Sequence, residues 1–244
     1  MKGSHITPED IKELYTQFDA PITVLDCGKK CAPYNEGGKP FCCDICVAVP
    51  TVYQEEWDYL NTHTDLWFVW KAENCTDTRE EAAKEVSRLK EETPGSMVLV
   101  ECLGPSLCQR SYRGLTCRQF PFFPYIDSQG NFLGLSYYWE YEEQCWVISN
   151  LEVVTEDYQR QFLAAFETIF RWMPGEFENY RYHSEVMRDT FNEQRRAIPL
   201  LHRNGYAYKI TTHNERMRRV PVDSLPTFGP YRIAAKMPFP DEIS

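Results

Sequence analysis

Residues 102–139 read "CLGPSLCQRSYRGLTCRQFPFFPYIDSQGNFLGLSYYW". "MVLVE" (Met97–Glu101) runs into this stretch as a short apolar strand, set off by the breaker "TPG" at Thr93–Gly95. At its far end two aromatic-rich arms flank Asp127–Gly130, whose residues favour a turn, so a β-hairpin is expected there. Pro121 and Pro124 cannot donate to a ladder, which puts the first arm on a sheet edge. Between strand and hairpin lie Cys102, Cys108 and Cys117, on a loop at the strand's end.

Helices are expected on both sides of this stretch. Thr7 caps a helix from about Pro8 to Phe18, with Ile11, Leu14, Tyr15 and Phe18 on one face. Thr51 and Gln54 stand at capping-box spacing before Tyr53, Trp57 and Leu60. "LWFVW" (Leu66–Trp70) reads as a buried strand, and Thr78 with Glu81 as the capping box of a helix carrying Ala82, Val86 and Leu89. Tyr158, Phe162, Ala165, Phe166 and Ile169 recur at helical spacing until Pro174 and Gly175, and a weaker helix covers about Ser184–Arg196. "YAYKI" (Tyr206–Ile210) reads as a short strand. With no repeat and no clear linker, the expectation is α+β: a single mixed domain over 1–244, with an irregular cysteine-rich metal-binding lobe and a helical C-terminal half. The metal-binding core would span 27–145 and the helical extension 150–244.

Formal charge is −10, which argues against a broad nucleic-acid surface, because phosphate binding needs clustered Lys and Arg. Arg216, Arg218 and Arg219 read as a solvated face. "MKGSHITPEDIKELYTQF" lacks the apolar run of a signal peptide, and no apolar run approaches the ~18 residues of a membrane span. A cytoplasmic location with reduced thiols is expected.

The ten cysteines are about 4% of the chain, below the density of a disulfide scaffold, but most are grouped. The first group, Cys27, Cys31, Cys42, Cys43 and Cys46, is spaced C-x3-C-x10-C-C-x2-C. Its final C-x2-C lets a tight turn aim two thiolates at one metal, and Gly37 and Gly38 give the loop freedom to wrap an ion. The second, Cys102, Cys108 and Cys117, is spaced C-x5-C-x8-C and followed by Arg118. Cys145 lies beyond the hairpin and can return to either group, whereas Cys75 stands alone and reads as a free thiol. Grouped thiols in a reducing compartment favour a metal over buried free cysteines or adventitious disulfides.

Cys108, Cys117, Arg118, Phe120, Pro121 and Phe122, preceded by the Cys42-Cys43 pair and the helix near Thr51, resemble the YkgJ-like cysteine-cluster family. The likeness covers about half the chain, from Cys27 to Cys145. In two places the chain departs from the family pattern: the first half is less compact, and Arg113-Gly114 stands where the family often has Arg-Pro. The resemblance implies a zinc- or iron-chelating domain. All-thiolate donors suit zinc, another soft-metal centre or an iron–sulfur cluster. Phe41, Tyr112, Phe120, Phe122 and Phe123 either shield such a centre or form ordinary core.

His5, His63, His183, His202 and His213 form no metal or catalytic pattern, and no P-loop, G-x-G-x-x-G or G-x-S-x-G occurs. Arg118 is expected to meet thiolates, a carboxylate or an internal ion pair. The favoured reading is a metal-binding cysteine-cluster protein holding an iron–sulfur cluster for redox or electron transfer, with an unnamed redox or protein partner. A structural-zinc module without catalysis is the alternative, and a cysteine-dependent enzyme is a third.

Overall fold

The computed structural model describes residues 6–231, so His5 lies outside them. The helices are α1 (Pro8–Gln17), α2 (Cys27–Cys31), α3 (Gln54–His63), α4 (Arg79–Glu92), α5 (Leu115–Gln119), α6 (Glu156–Trp172) and α7 (Pro174–Glu193). The strands are β1 (Thr51–Tyr53), β2 (Trp67–Val69), β3 (Met97–Cys102), β4 (Phe122–Ile126), β5 (Phe132–Tyr137), β6 (Ile198–His202), β7 (Ala207–Ile210) and β8 (Met217–Val220). Short 3-10 turns join many of them. The mixed α+β class expected from the sequence is what the chain adopts.

The chain divides into two compact units, so a single domain is not confirmed. The first comprises Met1–Asp19 and Asn35–Phe120, the second Ala20–Tyr34 and Pro121–Ser244. Among the described residues no group of three or more His, Cys, Asp or Glu is arranged to hold a metal ion. No helix among them is long and apolar enough to cross a membrane.

The first unit has a three-stranded antiparallel sheet in the order β1-β3-β2. Thr7 and Asp10 close a capping box on α1, and Ile11, Leu14, Tyr15 and Phe18 are buried as its periodicity requires. Thr78 and Glu81 do the same for α4, whose Ala82 packs with Trp70 and Ala72 and is flanked by Val86 and Leu89. The capping box expected at Thr51 and Gln54 does not form. Thr51, Val52 and Tyr53 instead pair with Leu99, Val98 and Met97, so the ladder claims them and α3 starts three residues later. The Glu56 carboxylate accepts the Tyr53 N–H at 3.2 Å there. In "LWFVW" Leu66, Trp67 and Trp70 are buried, but Phe68 and Val69 are exposed, because β2 is an edge strand.

The second unit holds a five-stranded antiparallel sheet ordered β4-β5-β6-β7-β8. The hairpin of β4 and β5 turns at Asp127–Gly130, and Pro124 lies on an edge strand as its missing donor demands. The Asp127 side chain accepts the N–H groups of Gln129 and Asn131. Every residue of β4 is buried. Phe123 and Tyr125 cluster with Met187 and Phe191 of α7 and with Ile198, Leu200 and Ile210, while Phe122 meets Tyr158 of α6 at 5.9 Å. A Cβ at Gly134 would fall 2.2 Å from the Leu201 carbonyl oxygen, so only glycine allows β5 to approach β6 this closely.

The region after residue 150 is not simply helical, since β6, β7 and β8 follow its two helices. β7 matches "YAYKI", but β6 and β8 were not foreseen. Pro199 reads against a central strand, yet β5 pairs with β6 only at Leu201 and His202, so no ladder donor is missed at Pro199. Arg218 and Arg219 of β8 are exposed, as the solvated reading expected, but they lie in a strand at the sheet's other edge. α6 ends at Trp172, near Pro174 as expected, and Pro174 also starts α7, because the first helical position has no intrahelical acceptor for an N–H.

Candidate metal centre

In the first unit, β3 ends at Cys102, the loop after it carries Cys108, α5 carries Cys117, and a 3-10 turn (Phe41–Cys43) carries Cys42 and Cys43. The side chains of Cys43, Cys102, Cys108 and Cys117 lie near enough for their charges to act on one another. Burial pushes the Cys117 thiol far up, and the charges of Cys102, Cys43 and Cys108 push it further, against the pull of Arg113. Burial also raises Cys102, whose sulfur accepts a backbone N–H from Gly104. A hydrogen bond from Cys42 leads in pulling the Cys43 thiol down to about 7, helped by the charges of Arg113 and Lys39. Arg113 Nε donates to the Cys108 sulfur at 3.2 Å. As thiolates the four would repel one another, and a cation among them would reverse that balance. Thiols are the donor type a thiophilic metal takes, but among the described residues no group of three or more His, Cys, Asp or Glu is arranged to hold one.

Two buried polar side chains position α5 and the loop before it. Glu56 accepts the Tyr15 hydroxyl at 2.5 Å and the Leu115 N–H at 2.6 Å, which caps the start of α5. Burial raises its pKa despite these donors. A Cβ on Gly114 would lie 3.1 Å from Val52 Cγ1, so the chain passes this point as glycine. Arg118 donates to the carbonyls of Arg113 (2.8 Å), Ser111 (2.8 Å), Tyr15 (3.2 Å) and Phe18 (2.5 Å), and its guanidinium lies 4.2 Å over the Tyr15 ring. These contacts are with carbonyls and a ring, and the charges of the Glu56 and Asp19 carboxylates also act on the guanidinium, in keeping with the expected carboxylate. The arginine that touches a thiol is Arg113. The sequence carries no signal for Glu56 beyond an acid at the third position of a helix.

Cys46 and Cys75 form a disulfide across 29 residues, with Cα atoms 5.1 Å apart. This corrects two expectations: Cys75 is not free, and Cys46 offers no thiolate to a metal while the bond stands. The turn at Asp44 and the 3-10 turn Ala72–Asn74 bring the two sulfurs together, and both side chains also lie near backbone carbonyls of the facing segments. Phe122 and Phe123 belong to the second unit, where they are fully buried.

Cys27, Cys31 and Cys145 belong to the second unit. Cys145 thus shares a unit with the first two cysteines of the chain. His63 stacks on Tyr59 with ring centroids 4.3 Å apart, and His183 sits among Phe123, Tyr138 and Trp139. Neither meets a thiol in these contacts. Compared with protein-family models, with curated proteins and with solved structures, the chain matches none.

Proposed function

We propose that this chain is a thiolate metal-binding protein whose first unit holds an iron–sulfur cluster through Cys43, Cys102, Cys108 and Cys117. What supports the reading is that Cys43, Cys102, Cys108 and Cys117 lie in one unit, where their charges act on one another and on Arg113, whose Nε donates to the Cys108 sulfur at 3.2 Å. The resemblance of Cys108–Phe122 to the YkgJ-like family points the same way. When bound, such a cluster supplies a one-electron redox couple, which suits electron transfer to or from a partner protein. The chain's own contribution is positioning and charge. Arg113 and the Gly104 N–H donate to ligand sulfurs, and hydrogen bonds to sulfur raise a cluster's reduction potential. Glu56 and Arg118 hold the elements that carry Cys108 and Cys117.

The test is purification without oxygen, followed by a visible spectrum and assays of iron, zinc and acid-labile sulfide per chain. Brown protein with iron and sulfide supports the reading. Colourless protein with stoichiometric zinc replaces it with a structural clamp of four thiolates. Cys117→Ser is expected to lose the metal and loosen the first unit, because metal binding and folding are coupled at such sites. Unchanged metal content in that variant sinks the assignment.

A further inference from the structure

The two ends of the Cys46–Cys75 bond are unequally sheltered: Cys46 is exposed and Cys75 half-buried. The other eight cysteines are free thiols, so this is one disulfide in a chain otherwise reduced. Exposed disulfides are the ones most open to exchange with other thiols.

Each of the segments it joins is also held without it. On one side Asp44 organises a turn. Its side chain accepts the Cys46 N–H at 3.1 Å, its carbonyl accepts the N–H groups of Val47 (3.0 Å) and Ala48 (2.7 Å), and Lys39 meets its carboxylate at 3.1 Å. On the other side the Cys75 N–H donates to the Ala72 carbonyl at 2.9 Å, and Asn74 Nδ2 donates to Glu101 at 3.0 Å. Trp70 Nε1 donates to the Ile45 carbonyl at 3.1 Å and so ties the first segment to β2 and its neighbours without sulfur. The Cys46 sulfur lies 3.8 Å from the Asn74 carbonyl oxygen, and the Cys75 sulfur 3.8 Å from that of Ile45. In the disulfide neither sulfur has a proton to donate. As thiols both do, and each then has an acceptor already in place. The same backbone thus serves the oxidised and the reduced pair.

We propose that Cys46–Cys75 is a reversible thiol–disulfide exchange site that takes two electrons from a dithiol. One thiolate of the dithiol attacks the exposed Cys46 sulfur, the Cys46–Cys75 bond breaks, and Cys75 leaves and takes up a proton. The second thiol then attacks the dithiol's own sulfur in the mixed disulfide, and Cys46 leaves and is protonated in turn. The dithiol ends as a disulfide and the protein gains two thiols. Neither cysteine is among the four proposed metal ligands, so this goes beyond the metal reading and does not rest on it.

The full chain, purified without reductant, is titrated with dithiothreitol. Free thiols at Cys46 and Cys75 are located by alkylation and peptide mass spectrometry, and circular dichroism follows the fold. The bond is expected to open completely in native buffer with the circular dichroism unchanged, and oxidised glutathione is expected to restore the same pair. In an acid-quenched reaction with reduced glutathione, a monothiol, the mixed disulfide is expected on Cys46 over Cys75 by about tenfold. A bond that opens only in denaturant, or whose opening unfolds the chain, is a structural staple and overturns the proposal. So does reoxidation to a different pairing, or an isolated chain without this bond. Glutathione found equally or mainly on Cys75 overturns the point of attack.

Discussion

In the second unit the large side chains buried most deeply are rings and aliphatics, among them Phe162, Phe166 and Ile169 on α6, Met187 and Phe191 on α7, Tyr125 and Ile198 on the sheet, with Ser136 and Ser184 as small polar neighbours. In the first unit the apolar side chains share their interior with Glu56 and Arg118, one edge strand exposes Phe68 and Val69, and a disulfide ties two loops. A unit sealed by two long helices draws its stability from apolar area removed from water. A unit with a three-stranded sheet and many 3-10 turns relies more on specific links: a buried carboxylate, a cross-link and, on the proposed reading, a metal. A link of that kind is lost by changing a single atom or a ligand, whereas an apolar core responds to volume.

Three measurements break or sharpen this contrast. The largest effect is expected from Phe191→Ala, which opens a cavity between α7 and the sheet and costs about 3–5 kcal/mol in urea unfolding. Metal content of the folded variant should be unchanged. A cost below ~1 kcal/mol would mean the second unit does not depend on this core. Next, Cys75→Ser removes the cross-link and is expected to cost about 2–4 kcal/mol in the oxidised protein and almost nothing after reduction. Equal unfolding midpoints for oxidised wild type and variant would remove the disulfide from the account.

The third effect appears only in acid and concerns His183, whose Nε2 is buried with no hydrogen-bond partner among the described residues. Burial pulls its pKa down to about 4. The unfolded chain, with an ordinary histidine near 6.5, then binds more protons between these two values. Stability is therefore full above about pH 6.5 and falls as pH drops toward 4, by up to about 1.4 kcal/mol per pH unit. His183→Phe, placing a ring among Phe123, Tyr138 and Trp139, should flatten that acid slope in unfolding curves taken between pH 7 and 4.5. An unchanged slope would put the acid sensitivity in other groups.

The elements legible in the sequence were those whose signals are local. The boxes at Thr7 and Thr78, the aromatic period of α6 and the Asp127–Gly130 turn are decided by neighbours a few residues apart, and the structure has each of them. The elements missed depend on distant partners. Thr51 lies in a strand because Leu99 is across from it, and β6 tolerates Pro199 because β5 has already diverged. The grouping of the thiols was partly legible: spacing picked out the cysteine-rich segments but not their partition. Spacing cannot show that Cys27 and Cys31 share a unit with Cys145 or that Cys46 meets Cys75, because such pairings arise only when the chain folds back. Glu56 was invisible for the same reason, since its donors come from 41 and 59 residues away.

The five-stranded sheet ends on one side at β4, interrupted by Pro124, and on the other at β8, which exposes Arg218 and Arg219 beside Arg216. An edge with a missing donor and an edge with crowded positive charge are both poor templates for an incoming strand. Copies of this chain at high concentration therefore meet an obstacle at each end of the sheet. By this argument the arginines that read as an idle solvated face also make the β8 edge a poor seed for fibre growth.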